Sequence, residues 1–329
     1  MIGVTGANGL LGSFIIRKLI EENEQFIAFK RNASDVSLLG DLNEKIQWRE
    51  LDLLNPVTMD DALQGVNAVI HAGAIVSFNP RLASTITRIN TEGTRNLVNA
   101  SLANGVNRFI HISSVGALGR LKGQTIIDEK HKWVESAAHN AYATSKYFAE
   151  LEVFRGQEEG LRTAILNPSV ILAPADWSKS SAKLFKYVWD EPLFYIDGSL
   201  NYVDVRDVAT AAWKMLNSGT ENERFIVSAG AVPFKEFFDA VARRFGKRPP
   251  MVKLNGKLLK IVAGFEAIRA RLRRSEPLVT PDAARLAGSF FQFQNNKIIT
   301  ELGFEFRPLD DTLDWCCEYY MQKFALKKG

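Results

Sequence analysis

Cysteine is nearly absent. The 329 residues hold two, Cys316 and Cys317, side by side. Neighbouring cysteines cannot staple a fold, so a disulfide framework is excluded and a reducing compartment is expected. They also lack the spacing of a metal site. Histidine is scarce: His71, His111, His131 and His139 are the four, and no two stand at metal-ligand spacing, so no metal is expected. His71 and His111 fall in apolar strand-like runs and read as satisfied core residues rather than acid–base groups. No run of about 18 apolar residues occurs, so no membrane-spanning helix is expected. The first residues read as a strand entering a glycine turn, without the basic start and long apolar stretch of a secretory leader, which points to a cytoplasmic protein. Neither sign of charge dominates, with 41 Lys and Arg against 37 Asp and Glu. The basic residues are spread out except at Arg269, Arg271, Arg273 and Arg274, which read first as a solvated helix face and second as a contact for an anion or membrane surface. No aromatic residues interleave with that charge, so no nucleic-acid partner is expected. Internal repeats and low-complexity segments are also missing.

What is present is a chain that is 46% hydrophobic and long enough for one large α/β domain with a smaller appended part. Over its first two-thirds, short apolar runs alternate with amphipathic ones, the pattern of a parallel sheet covered by helices. Strands are predicted at 2–5, 26–30, 47–52, 68–72, 108–113, 162–167 and 223–227. Several are apolar on both faces, as buried parallel strands are. Helices are predicted at 11–22, 56–63, 91–104, 141–159 and 205–216. This is the doubly wound order of a Rossmann-type fold. After Asn167 the character changes: prolines at 168, 174 and 192 interrupt it, and 175–181 reads as a loop. From Pro233 the chain is mostly helical, ending in a short helix around 313–324. The predicted division is a dinucleotide-binding domain of residues 1–168 and 201–228, with 169–200 and 229–329 as a smaller, mostly helical substrate-binding part. The strand near Asn201 and the helix after it would return to the main sheet.

The most informative local motif is Thr5-Gly6-Ala7-Asn8-Gly9-Leu10-Leu11-Gly12, between the first strand and first helix. Gly6 permits a sharp turn, Gly9 lets backbone approach a pyrophosphate, and Gly12 lets helix pack closely on strand. The helix N-terminus then offers free N–H groups and partial positive charge to phosphates. At the end of the second strand, where an NAD site places an acid for the ribose 2′-hydroxyl, stand Lys30 and Arg31. Two cations suit a 2′-phosphate, and arginine can hold it with two bonds. Asp52 and Leu53 end the next strand, where a carboxylate can accept from an adenine amino group.

Tyr142 and Lys146 lie four apart at the start of a predicted helix and so share a face. An ammonium beside a phenol stabilises the phenolate, which suits the tyrosine to proton transfer at a carbonyl or carbinol oxygen. The strand at 108–113 runs into Ser113 and Ser114 at the carboxyl edge of the sheet, where doubly wound folds bind ligands.

Taken together these motifs resemble the extended short-chain dehydrogenase/reductase family over nearly the whole chain. Further matching segments are Val69-Ile70-His71-Ala72-Gly73-Ala74, Asn90-Thr91-Glu92-Gly93-Thr94, Ile112-Ser113-Ser114, Asn167-Pro168-Ser169-Val170 and Tyr202-Val203-Asp204-Val205-Arg206-Asp207-Val208-Ala209. Arg31 places the resemblance on the dihydroflavonol-reductase and 3β-hydroxysteroid-dehydrogenase side. The chain departs from the common pattern at Asn167, often arginine, and Ala173, often glycine. The resemblance implies Ser114, Tyr142 and Lys146 as a catalytic triad, the register to Gly119 favouring Ser114 over Ser113. It implies Ala72, Gly73, Ala74, Asn90, Asn167 and Val170 as cofactor contacts, with Asn90 supporting a proton relay. Lys146 would also bind the nicotinamide ribose. The implied activity is NADP(H)-dependent reduction of a ketone or aldehyde, or oxidation of the alcohol, with NAD(H) as a possible cofactor. A sugar-nucleotide epimerase or dehydratase recycling NAD, and a catalytically silent sensor or scaffold that binds NADP, are the alternatives. A homodimer through the helices at 91–104 and 141–159 is also implied. Phe185, Tyr187, Trp189, Phe194 and Tyr195 read either as an apolar pocket wall or as core.

Overall fold

The computed structural model describes residues 1–119, 123–134, 140–177, 181–254 and 288–325. The arginine cluster at 269–274 and His139 lie outside the described residues. In chain order the first half comprises β1 (Ile2–Thr5), α1 (Leu10–Glu21), β2 (Phe26–Lys30), β3 (Trp48–Glu50), α2 (Met59–Leu63), β4 (Ala68–His71), α3 (Ala83–Thr87), α4 (Gly93–Ala103), β5 (Arg108–Ile112) and the short β6 (Ile126–Ile127). There follow α5 (Ala141–Glu158), β7 (Thr163–Pro168), β8 (Val170–Leu172), α6 (Ala182–Trp189), β9 (Phe194–Ile196), β10 (Ser199–Asp204), α7 (Val205–Asn217), β11 (Glu223–Val227), β12 (Gly230–Pro233) and α8 (Phe234–Phe245). The last elements are β13 (Val252–Leu254), β14 (Gln292–Phe293), α9 (Asn296–Leu302) and α10 (Leu309–Ala325).

Seven strands form one sheet in the order β11-β7-β5-β4-β1-β2-β3, and every pairing in it is parallel. Side chains alternate across a strand, and here both faces are covered, so successive residues enter different cores. In β4, Val69 joins the cluster with Leu97, Val98 and Val153, whereas Ile70 joins the one with Ile15, Ile16 and Leu19. The first cluster is roofed by α2, α4 and α5, the second by α1 and α7. The sheet reverses its winding between β1 and β4, and the crevice outside the carboxyl ends there is the ligand site of such folds.

The predicted strand near Asn201 does not join this sheet. β10 pairs with β8 in parallel and with β12 antiparallel, making a separate three-stranded sheet. The following helix and strand do return: Val208, Ala211, Ala212 and Met215 of α7 lie in the core with α1, and β11 pairs with β7 at the sheet edge. The physical reason is that β7 already pairs with β5 on one side and β11 on the other, so β10 lies instead along β8, the strand that follows β7. The terminal helix also begins earlier than predicted, at Leu309.

The segment Arg88–Glu92, ahead of α4, is a turn of π-helix. Such turns insert one extra residue and are common where a side chain must be re-aimed. Here that side chain is Asn90.

Candidate active site

The glycine turn is built as its spacing predicts. Gly6 has φ +67°, and a Cβ there would come within 2.7 Å of the backbone of Ala72 and Gly73. A Cβ on Gly12 would lie 1.9 Å from Gly6 O, so helix and turn touch through glycine alone. Gly9 is the N-cap of α1 and has no capping side chain, and the first turn carries no acid. The helix end, with the amides of Leu10, Leu11 and Gly12, is thus left for an anion. Asn8 braces the turn from outside by donating to Asp35 O at 3.0 Å. At the end of β2, Lys30 Nζ lies 5.6 Å above the Trp48 ring, and Arg31 is exposed. Asp52 turns one oxygen back on its own loop, accepting from Leu54 N at 2.9 Å. Leu53 wedges between Gly73 and Gly93, with its Cβ within 2.9 Å of where a Gly93 Cβ would stand. Gly73 N donates to Thr5 Oγ1 at 3.2 Å, Ala72 is half-buried, and Ala74 is exposed. These residues suit a dinucleotide: an uncapped helix end, glycines where the turn meets the helix and the loop after β4, and cations at the end of β2.

The chemistry-bearing side chains meet where β5 ends and α5 begins. Asn140 caps α5 by accepting from Ala143 N at 2.8 Å, which starts the helix one residue before Tyr142. Ser114 caps the short helical turn Val115–Leu118, its Oγ accepting from Gly116 N at 3.1 Å. Ser113 is buried. Burial pushes the Tyr142 phenol above its usual 10, and the nearby Ser114 hydroxyl only partly opposes this. Lys146 does not act on the phenol here as the spacing suggests. Its ammonium donates to Ile112 O at 2.7 Å and stands 3.5 Å from His111 Nε2. Burial pushes this ammonium down to about 8, with Glu150 pulling the other way.

His71 is a satisfied core histidine, with Thr5 Oγ1 2.7 Å from Nδ1 and Thr94 Oγ1 3.0 Å from Nε2. His111 is not: its Nδ1 is buried without a partner. Burial, with the nearby Lys146 second, holds both imidazoles far below their ordinary value and so neutral. Asn90 acts as a brace. Its amide accepts from Ile75 N and donates to Ile75 O and to Ser145 Oγ, tying the loop after β4 to α5. Asn167 points beneath the site, Nδ2 donating to Ser114 O at 2.9 Å and to Glu150 Oε1 at 2.6 Å. Val170 is exposed on β8.

Glu150 and its partner Arg224 are absent from the sequence reading. The signal available was spacing, since Glu150 follows Lys146 by one helical turn, as Lys146 follows Tyr142. The aromatic residues that read either as pocket wall or as core are mostly core. Phe185 packs on Phe237 and Tyr320, and Trp189 on Phe245, whereas Phe194 is exposed. At the rim, Phe78 stands edge-on to Tyr142 with centroids 5.9 Å apart. Among the described residues no helix is long and apolar enough to cross a membrane.

Known proteins agree with this geometry. A putative dihydroflavonol 4-reductase of Synechocystis is 27% identical over 307 residues, 91% of this chain and 88% of that protein. The crystal structure of gox2253 superposes with a TM-score of 0.84 at 32% identity, covering 98% of each chain. The UDP-glucose 4-epimerase of Thermotoga maritima shares the fold at 21% identity, with a TM-score of 0.79 and 98% and 99% coverage. The sequence profile of the NAD dependent epimerase/dehydratase family matches residues 2–228. With the glycine turn and the Tyr142/Lys146 helix in place on a parallel seven-stranded sheet, the chain belongs to that family, as an NAD(P)-dependent oxidoreductase of extended short-chain dehydrogenase/reductase type.

Proposed function

We propose that the protein is an NADP(H)-dependent reductase of a ketone or aldehyde, with Ser114, Tyr142 and Lys146 as its catalytic groups. The observation that carries this is the meeting of Ser114, at the end of β5, with Tyr142, in the first turn of α5: the serine hydroxyl acts on the phenol, and Lys146 is buried one helical turn further along α5. When bound, the nicotinamide supplies the hydride to the carbonyl carbon. Ser114 donates to the carbonyl oxygen and stabilises the charge that develops on it. Tyr142 gives that oxygen its proton. A phenol whose pKa burial has raised keeps its proton at neutral pH, and the alkoxide it meets is far more basic, which favours the reducing direction. Lys146, one helical turn past Tyr142, would turn from Ile112 O toward the phenol and the cofactor ribose. Lys30 and Arg31 are the candidates for the 2′-phosphate. The apolar rim at Phe78 suits a substrate with an apolar body.

Residues 169–200 and those from 229 onward are assigned to the substrate side. The reading also includes a homodimer through α4 and α5, supported by the exposed Phe148 and Leu151 on α5. Fluorescence titration with NADPH and NADH tests the cofactor assignment. Tighter NADPH binding is expected; equal affinities would overturn it, and NAD retained through purification would favour an epimerase instead.

A further inference from the structure

Glu150 is a fully buried acid with no part in the reaction as derived so far. It lies on α5 one turn past Lys146 and two past Tyr142, on the same face. Both its oxygens accept: Oε1 from Asn167 Nδ2 at 2.6 Å, Oε2 from an Arg224 guanidinium nitrogen at 3.2 Å. That is the donor pattern of a carboxylate. Arg224, on β11, donates through its other two nitrogens to Glu129 O and His131 O. A buried ion pair gives little stability that well-packed apolar residues could not give as well, so a pair kept here invites another explanation. We propose that Glu150 is a positioning residue of the active site: its carboxylate, held by Asn167 and Arg224, aligns the Ser114 turn and keeps the Lys146 ammonium charged beneath Tyr142. This rests on the assignment of Ser114, Tyr142 and Lys146 made above.

The first arm runs through Asn167. Its Nδ2 carries two hydrogens, one directed at Glu150 and one at Ser114 O, while its Oδ1 is buried without a partner. The amide is therefore oriented by those two oxygens alone. Flipping it would set Oδ1 against both. Glu150 thus fixes Asn167, Asn167 fixes the Ser114 carbonyl, and that carbonyl fixes the residue whose hydroxyl meets Tyr142. The second arm is electrostatic. The groups facing Lys146 are His111 from β5, with His71 of β4 behind it, and Tyr142 and Glu150 from its own helix. The two imidazoles are neutral and the phenol is protonated, so the negative charge is that of Glu150, whose carboxyl burial pushes up while Ser113, Arg224, Asn167 and Lys146 pull it back; Arg224 lies beyond it. Burial lowers the Lys146 pKa and Glu150 opposes that lowering.

The test uses the full chain as Glu150→Gln, and as Glu150→Gln/Arg224→Met, which leaves no unpaired guanidinium in the core. Carbon-13 at lysine Cε reports the Lys146 titration by NMR, the peak being assigned by its loss in Lys146→Arg. In both variants the midpoint should fall by about one unit or more, the usual effect of an opposite charge. NADPH affinity, titrated from about pH 6 to about pH 10, should begin to weaken at correspondingly lower pH. On any ketone or aldehyde the protein reduces, kcat should fall about ten- to a hundredfold with KM little changed, as misalignment of a catalytic group does. Glu150→Asp, which keeps the charge, should restore the Lys146 midpoint but not kcat. An unmoved midpoint with only a lower melting temperature would make Glu150 a structural staple and overturn the proposal. Failure of both variants to fold would do the same. Tyr142→Phe run alongside separates the two readings: full turnover there defeats the assignment of Tyr142 and leaves the Lys146 midpoint as a statement about Glu150 alone.

Discussion

Two regions of this molecule solve the problem of burial with different chemistry. On the two faces of the seven-stranded sheet the cores are mainly aliphatic, with a few phenylalanines such as Phe109 and Phe225: Ile15, Ile16, Leu19, Ile70 and Ile110 on one face, Leu63, Val69, Leu97 and Val98 on the other. The appended region is aromatic, with Trp177 stacked on Tyr320 at 4.0 Å and on Phe324 at 4.8 Å, and Phe185 wedged between Phe237 and Tyr320. The aliphatic cores are held by a backbone ladder that already fixes each strand. The aromatic core joins α6, α8 and α10, which share no ladder, so large rings with many contacts must do the fixing. The proposed catalytic groups all project from the first region. The second supplies packing, and Tyr320 OH reaches from α10 to accept from Ala175 N at 3.1 Å in the loop after β8.

The contrast yields predictions that separate the regions. The largest effect belongs to Tyr142→Phe, which keeps the ring and removes the proton. Turnover should fall about 10²–10⁴-fold, with NADPH affinity and melting temperature nearly unchanged. Phe185→Ala should do the reverse, destabilising the fold by about 3–5 kcal/mol while leaving cofactor affinity intact. Urea denaturation read against NADPH titration checks both; a Phe185→Ala protein that loses cofactor at full stability would erase the division. Smaller is Arg31→Ala, expected to weaken NADPH by about 1–3 kcal/mol if a charge-assisted bond is lost and to leave NADH alone, by fluorescence titration.

The pH dependence of stability sharpens the same line. Lys146 titrates near about 8 in the fold, below its ordinary 10.5. Between those values the unfolded chain binds more protons than the native one, so stability attributable to this group rises with pH across that window. The rise should vanish in Lys146→Met, measured by chemical denaturation at a series of pH values. Least in magnitude is assembly: light scattering at micromolar concentration should give a dimer, and Phe148→Ser with Leu151→Ser should shift it toward monomer.

The strands of the main sheet were legible because burial on both faces leaves continuous apolar runs, as at Phe109–Ile112, and a glycine turn next to β1 has few other uses. β10 was misplaced because Leu200 and Val203 are as apolar as main-sheet residues, and only its pairing with Val170–Leu172 reveals the separate sheet. The aromatic core was ambiguous because a ring near a site and a ring in a core look alike until distant segments meet. Arg224 is illegible because 74 positions separate it from Glu150; for Glu150 the spacing to Lys146 gives its helix face but not its burial. Lys146 was placed by its spacing to Tyr142, but its bond to Ile112 O depends on how α5 lies on β5.

The π turn at Arg88–Glu92 makes the site unusually sensitive to chain length. One residue fewer there would let the segment wind as ordinary α-helix, and everything before it would rotate by about 100° relative to α4. Leu97 and Val98 would keep their places in the core, whereas Ile86 of α3, buried just before the turn, would rotate out of its own. Asn90 would swing away from Ile75 and Ser145, and the loop carrying Phe78 would lose its tether to the helix of Tyr142. A single-codon deletion there would therefore strike the packing of α3 and the tether of the site together, where a substitution of the exposed Arg88 would touch neither.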